Sequence, residues 1–213
     1  MSRELLLLRE GEADDNAMKT FIGKIASSAD RHVSVTGRKL ERSSLRPERS
    51  ADLVRLLETA SEASDFNIPI LITADADQNC AVQLAAHVRS IAATVLGNRT
   101  HGVAIAEVKL ESWFLVCLDA LSGKAGLAQG LAAVPDPGRG GDAAVEAALA
   151  RNVHGSRRVE TYSTEHALRF AKALDIDLCR QRSKSFDKFV REVQRLVAAP
   201  SPPEAGSVRA HGV

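Results

Sequence analysis

The sequence predicts an α/β fold: a mainly parallel β-sheet flanked by helices, followed by a helical C-terminal extension. Three observations carry this. Short, continuous apolar runs recur along the first half of the chain, and such runs suit strands buried on both faces of a parallel sheet. They lead into polar, acid-bearing turns and then into stretches of three- and four-residue apolar spacing, the alternation of strand and crossover helix. The 213 residues, 45% hydrophobic and 26% charged, suffice for one domain core, or one domain with a small appendage.

The first strand is residues 4–8, ended by Arg9-Glu10-Gly11. Asp14, Asp15 and Asn16 then offer N-cap chemistry to a helix whose Met18, Phe21, Ile22 and Ile25 share one face. His32-Val33-Ser34-Val35-Thr36 alternates with period two and predicts a strand that stops at Gly37. Arg38, Lys39, Arg42, Arg46 and Arg49, with little apolar material between them, make residues 38–49 an exposed basic connection. Leu53, Val54, Leu56, Leu57 and Ala60 predict a helix over 50–64 capped by Ser50. Ile68-Pro69-Ile70-Leu71-Ile72-Thr73 is the clearest strand, its proline near the first position, where a missing donor is tolerated. It runs into Ala74-Asp75-Ala76-Asp77, and a helix is expected over 79–91.

Val103-Ala104-Ile105-Ala106 predicts a further strand leading to Glu107, Lys109 and Glu111, and residues 113–121 read as an apolar helix. Six glycines and two prolines make 123–141 a flexible connection. Helical patterns resume at 142–150, 165–174 and 185–197. The expected organisation is an α/β core over 1–122, the connection over 123–141, a helical extension over 142–199 packing on the core, and a disordered tail over 200–213.

Composition excludes several functions. With 28 Lys and Arg against 27 Asp and Glu, the formal charge is +1, so any nucleic-acid contact needs a local basic patch. An aromatic content of 4% disfavours a platform that stacks successive bases. Cys80, Cys117 and Cys179 show neither paired spacing nor a zinc pattern. The run Leu5 to Leu8 is too short for a signal peptide or membrane span, so a cytoplasmic protein with reduced thiols, away from membranes, is expected.

The chemistry-bearing residues are acids at strand ends. If the strands are parallel neighbours, Glu10, Asp75 and Asp77, with Glu107 or Glu111, converge on one edge of the sheet. Asp75 and Asp77 are two apart, so in an extended segment their carboxylates point the same way, while Asp14 follows Glu10 at helical spacing. Oxygen-only ligands select Mg²⁺ or Mn²⁺ over zinc, and a pair of such ions serves phosphodiester cleavage. The same aspartates also suit Asx turns and helix N-caps, and Glu107 and Glu111 suit a helix dipole.

Leu6-Leu7-Leu8-Arg9-Glu10-Gly11-Glu12-Ala13-Asp14 and Ile70-Leu71-Ile72-Thr73-Ala74-Asp75-Ala76-Asp77 resemble the strand-Glu-Gly and strand-Asp-x-Asp motifs of TOPRIM domains. Glu107-Val108-Lys109-Leu110-Glu111-Ser112-Trp113-Phe114-Leu115 and Ser183-Lys184-Ser185-Phe186-Asp187-Lys188-Phe189-Val190 look like small stand-alone TOPRIM-like proteins related to OLD-family nucleases, often encoded beside an AAA-type ATPase. The resemblance spans about residues 4 to 197. It implies a TOPRIM/Rossmann-like fold and a Mg²⁺- or Mn²⁺-dependent nuclease acting on DNA, in phage or mobile-element defence with an ATPase partner. It assigns metal binding to Glu10, Asp14, Asp75 and Asp77, with Glu111 a further ligand and Glu10 an alternative general base. Lys109 or Lys184 would then neutralise transition-state charge.

Two residues depart from the family pattern: Ala13 stands where Ser or Thr is usual, and Arg9 where an apolar residue is more common. Ala13 offers no hydroxyl, which suits a second reading: a non-catalytic subunit that docks on an ATPase through Phe186, Phe189 and Val193. Gly138-Arg139-Gly140-Gly141 lacks the Gly-Lys-Ser/Thr of a phosphate loop, the histidines show no metal-type pairing, and Ser43 and Ser44 lack a triad context. Arg151, Arg157 and Arg158, and Arg180, Arg182, Lys184 and Lys188, form further basic clusters.

Overall fold

The computed structural model describes residues 3–11, 15–127, 129–135, 141–150 and 162–198. Strand β1 (Arg3–Glu10) leads through helix α1 (Asp15–Ser27) to β2 (Val33–Leu40). Two 3-10 turns, Arg42–Leu45 and Pro47–Arg49, precede α2 (Ser50–Glu62), β3 (Ile70–Asp75), α3 (Ala81–Leu96) and β4 (His101–Ala106). The remainder is helical: α4 (Glu111–Leu115), α5 (Leu118–Leu121), α6 (Gly141–Ala150), α7 (Thr164–Ala173), α8 (Ile176–Arg182) and α9 (Lys184–Ala198). The four strands form one parallel sheet in the order β2-β1-β3-β4, with helices on both faces, so the fold is α/β and Rossmann-like.

Period-two alternation divides the core between the faces. Leu6, Leu8, Ile70, Ile72, Val103 and Ile105 pack under α2 and α3. Leu5, Leu7, Leu71 and Ala104 pack under α1 and the C-terminal helices. On that second face Phe21, Trp113, Phe186 and Phe189 interlock, with Trp113 and Phe186 ring centroids 5.0 Å apart and Phe21 and Phe186 5.3 Å apart, both edge to face. The Trp113 indole N–H donates to Ser185 Oγ at 2.9 Å. Phe186, Phe189 and Val193 are therefore buried core residues and not an exposed docking stripe, because α9 spends its apolar face on α1 and β4.

Several boundaries differ from the sequence-based expectation. Strand β2 runs through Gly37 to Leu40. A Cβ on Gly37 would stand 2.3 Å from Asp15 Oδ1, so the glycine admits the first turn of α1 to the sheet. Residues 38–49 are not simply exposed: Arg38 to Leu40 belong to the strand, and Leu40, Ser44 and Leu45 are buried. Strand β3 begins after Pro69, the apolar stretch 113–121 breaks at Val116 and Cys117 into α4 and α5, and α8 is an additional helix capped by Asp175, whose Oδ1 accepts the Leu178 N–H at 3.0 Å. Ser50 stands inside α2, its Oγ donating to Pro47 O.

After α5, Leu127 and Leu131 are buried, and the Val134 N–H donates to Leu115 O at 2.9 Å. Arg151, Arg157, Arg158 and the tail from 200 onward lie outside the described residues. Among the described residues no helix is long and apolar enough to cross a membrane.

The largest polar side chain that the sequence reading passed over is Arg99, which is fully buried. Its guanidinium donates to the carbonyls of Ser61, Asp65 and Ile68 and to the hydroxyls of Ser61 and Ser64. A cation thus closes the C-terminal end of α2, where the helix dipole favours positive charge.

Candidate functional site

From β1 the chain moves outward to β2, then returns across β1 to build β3 and β4. The direction of winding reverses between β1 and β3, and a crevice opens beyond the carboxyl ends of strands at such a switch. Glu10 is the last residue of β1 and Asp75 the last of β3. A cleft of about 590 Å³ lies there, lined by Glu10, Asp75, Asp77, Arg42, Arg46 and Lys109 among others, with Glu48 adding a fourth carboxylate.

Each acid is held by the end of the sheet. The Asp75 backbone N–H reaches Glu10 Oε2 at 3.4 Å, so the Glu10 side chain continues the β1–β3 pairing past its last ladder position. Asp75 Oδ1 accepts the Leu110 N–H at 3.0 Å. Asp77 does not continue an extended segment: its φ is 51°, a left-handed conformation that Asp tolerates better than most residues. Its N–H donates to Val108 O at 2.8 Å, and Ala76 donates to Ala106 O at 3.0 Å, which anchors the turn on the chain beyond β4. The expectation that spacing alone aligns the two aspartates gives way to this turn, although both side chains line the cleft.

Arg42 links two of the acids. Its Nε lies 3.2 Å from Glu10 Oε1, and its Nη2 pairs with Asp77 Oδ2. Behind the sheet edge, Arg9 is buried and pairs through Nε with Asp15 Oδ1 at 2.7 Å, while Lys19 takes Asp15 Oδ2 at 2.7 Å. Burial pushes the Asp15 carboxyl up, but the hydrogen bonds from Lys19 and Arg9 outweigh it and hold the pKa below its ordinary value.

Of the sequence-derived candidates, the fold brings Glu10, Asp75, Asp77 and Lys109 into one cleft. Glu111 is buried in the first turn of α4 and is not among the cleft's lining residues. Asp14 lies outside the described residues. Arg42 and Arg46, members of the basic cluster of the sequence, stand in the cleft wall; the apolar Leu45 between them, buried here, was the signal that this segment turns back onto the domain. Lys184 heads α9 and is not among the lining residues.

The donor set is oxygen-only and suits a hard divalent ion by its chemistry. As arranged, no three metal-ligating side chains among the described residues are gathered around one point. Arg42 instead stands between Glu10 and Asp77 as their counter-ion.

No curated protein and no solved structure gives a significant match to the chain. A family model described as a domain of unknown function, DUF4276, matches residues 9–194, which takes in all four strands' carboxyl ends and the larger part of α9; the chain belongs to the DUF4276 family.

Proposed function

We propose that this protein is a Mg²⁺- or Mn²⁺-dependent nuclease that cleaves DNA phosphodiester bonds in the cleft at the β1–β3 switch. One observation carries the reading: Glu10, Asp75 and Asp77 share a cleft with Arg42, Arg46 and Lys109, so sites for a divalent cation and for phosphate adjoin. Glu10, Asp75 and Asp77 would hold the ion. The ion would supply an activated water and charge stabilisation of the departing oxygen. Lys109 and Arg46 bind and orient the phosphate, as point charge and planar fork respectively. The TOPRIM resemblance of the strand-Glu-Gly and strand-Asp-x-Asp segments supports the same reading and suggests an AAA-type ATPase partner in phage or mobile-element defence; the absence of paired cysteine spacing suits a cytoplasmic setting.

The test is cleavage of duplex and single-stranded DNA by the wild type and by Asp75→Asn/Asp77→Asn, with Mg²⁺ and with Mn²⁺. Cleavage lost in the double variant supports the site; no cleavage by the wild type with either ion overturns the reading. A second reading, a non-catalytic subunit of an ATPase complex, is favoured by the Arg42 bridge, which already neutralises two of the acids.

A further inference from the structure

The cleft holds its own cation. Arg42 touches both Glu10 and Asp77, yet its side chain is 59% exposed, whereas those of Glu10 and Asp77 are 14% and 17% exposed. The acids belong to the sheet: Glu10 ends an interior strand, and Asp77 is fixed by its bond to Val108 O. Arg42 belongs to a four-residue 3-10 turn whose buried anchor is Leu45 and whose preceding residue, Glu41, is held by Ser44 Oγ donating to its carbonyl at 2.5 Å.

We infer that Arg42 is an exchangeable counter-ion: it occupies the acidic floor when no divalent ion is bound, is displaced by the ion, and then turns to the phosphate of the substrate. The inference rests on the metal-dependent reading above and adds an order of events to it. Electrostatics supports the exchange. A guanidinium and a divalent ion compete for the same carboxylate oxygens; the exposed guanidinium is screened by solvent and regains its hydration on leaving, and the divalent ion brings twice its charge to the same acids. Four carboxylates and three cations line the cleft, so withdrawing Arg42 from the floor leaves a surplus of negative charge for the incoming metal. The freed guanidinium stays on the wall that carries Arg46, at the reach of a long, flexible side chain from its former position. Without the metal, Arg42 screens the acids; with it, the same residue adds positive charge where a phosphate must approach.

Calorimetric titration of Mn²⁺ into the full-length wild type, Arg42→Gln and Arg42→Lys tests this, with binding of a non-cleavable phosphorothioate DNA in Mn²⁺ as the second readout. Arg42→Gln is expected to bind Mn²⁺ about fivefold more tightly than wild type, from the loss of the competing Arg42 contacts to Glu10 and Asp77, and to bind the DNA more weakly. Arg42→Lys, which keeps the charge but not the two-pronged contact, should lie between them and serves alone if Arg42→Gln does not fold. Wild type that binds Mn²⁺ while the folded variants bind it no more tightly overturns the exchange and leaves the metal site standing. Absence of Mn²⁺ binding in wild type and variants alike overturns the metal site and the exchange together.

Discussion

The carboxylate of Asp75 accepts the backbone N–H of Leu110 at 3.0 Å, joining the end of β3 to the start of α4. Asp75 is thus an architectural acceptor as well as a cleft acid. Asp75→Ala should leave the Leu110 N–H short of its acceptor and cost about 1 to 3 kcal/mol. Asp75→Asn keeps an oxygen in place and should melt within about 0.5 kcal/mol of wild type, while losing the charge that a divalent ion requires. Thermal melting of the two variants, each with and without Mn²⁺, separates the roles.

Gly37 and Asp15 are fitted to each other. Gly37→Ala would set its new carbon 2.3 Å from Asp15 Oδ1, pushing that carboxylate off Arg9, whose buried Nη1 has no hydrogen-bond partner among the described residues. A loss of about 1 to 3 kcal/mol is expected. Combining it with Asp15→Ala should give less than the sum of the single losses, because the clash and the ion pair share one side chain. Denaturant midpoints of the two single variants and the double variant provide the test.

Arg99 should be the most damaging single truncation outside the aromatic core. Arg99→Ala strips donors from the carbonyls of Ser61, Asp65 and Ile68 at once. A loss of about 3 kcal/mol or more is expected, which for a chain of this size lowers the melting temperature by roughly 6 to 12 °C. Arg99→Lys should recover only part of that, since one ammonium cannot serve the same set of acceptors. A full recovery by Lys would show that charge alone closes α2.

Acid stability should depend on Asp15 and Glu192. Burial raises the Glu192 pKa, but hydrogen bonds from Lys188 and Arg195 outweigh it, and the net shift is downward, as at Asp15. The unfolded chain, with ordinary values of roughly 4.3 and 3.9, therefore takes up protons first as pH falls. The stability these groups contribute is complete above about pH 5, is lost progressively as pH falls past their unfolded values, and is gone once pH has dropped through their lower folded values. Glu192→Gln should lower the melting temperature at pH 7 and flatten its fall below about pH 5. An acid limb identical to wild type would remove Glu192 from the account.

Strands β1, β3 and β4 were legible because they are short apolar runs, and the helices on the sheet because their spacing is regular. Strand β2 was legible only to Thr36: Gly37 reads as a stop, and nothing local reveals that Asp15 packs onto it. Glu10, Asp75 and Asp77 were readable one by one, since each ends a strand or sits in the turn after it, whereas Glu48 lies in a 3-10 turn that no local pattern marks. Their meeting depends on the strand order β2-β1-β3-β4, which no local pattern encodes. Arg42 was hidden for the opposite reason. It belongs to a run of similar charges, and only the return of the chain over Leu45 distinguishes it from its neighbours. Phe186 and Phe189 were open to reading as a surface stripe, because helical spacing shows that a face is apolar without showing what covers it.

The placement of Glu10 and Asp75 on the two interior strands divides the cleft into parts with different freedom to vary. Its acidic floor stays together as long as the sheet does, so amides at the ends of β1 and β3 should exchange with solvent only through global opening. Its basic lip, residues 41–49, is a connection between elements tied to the core through Leu45, so its exposed positions, Arg42 and Arg46 among them, accept replacement at less cost than the floor does. The charge of the lip can therefore be altered with little disturbance of the sheet, whereas any change to the floor acts on the ends of its two interior strands.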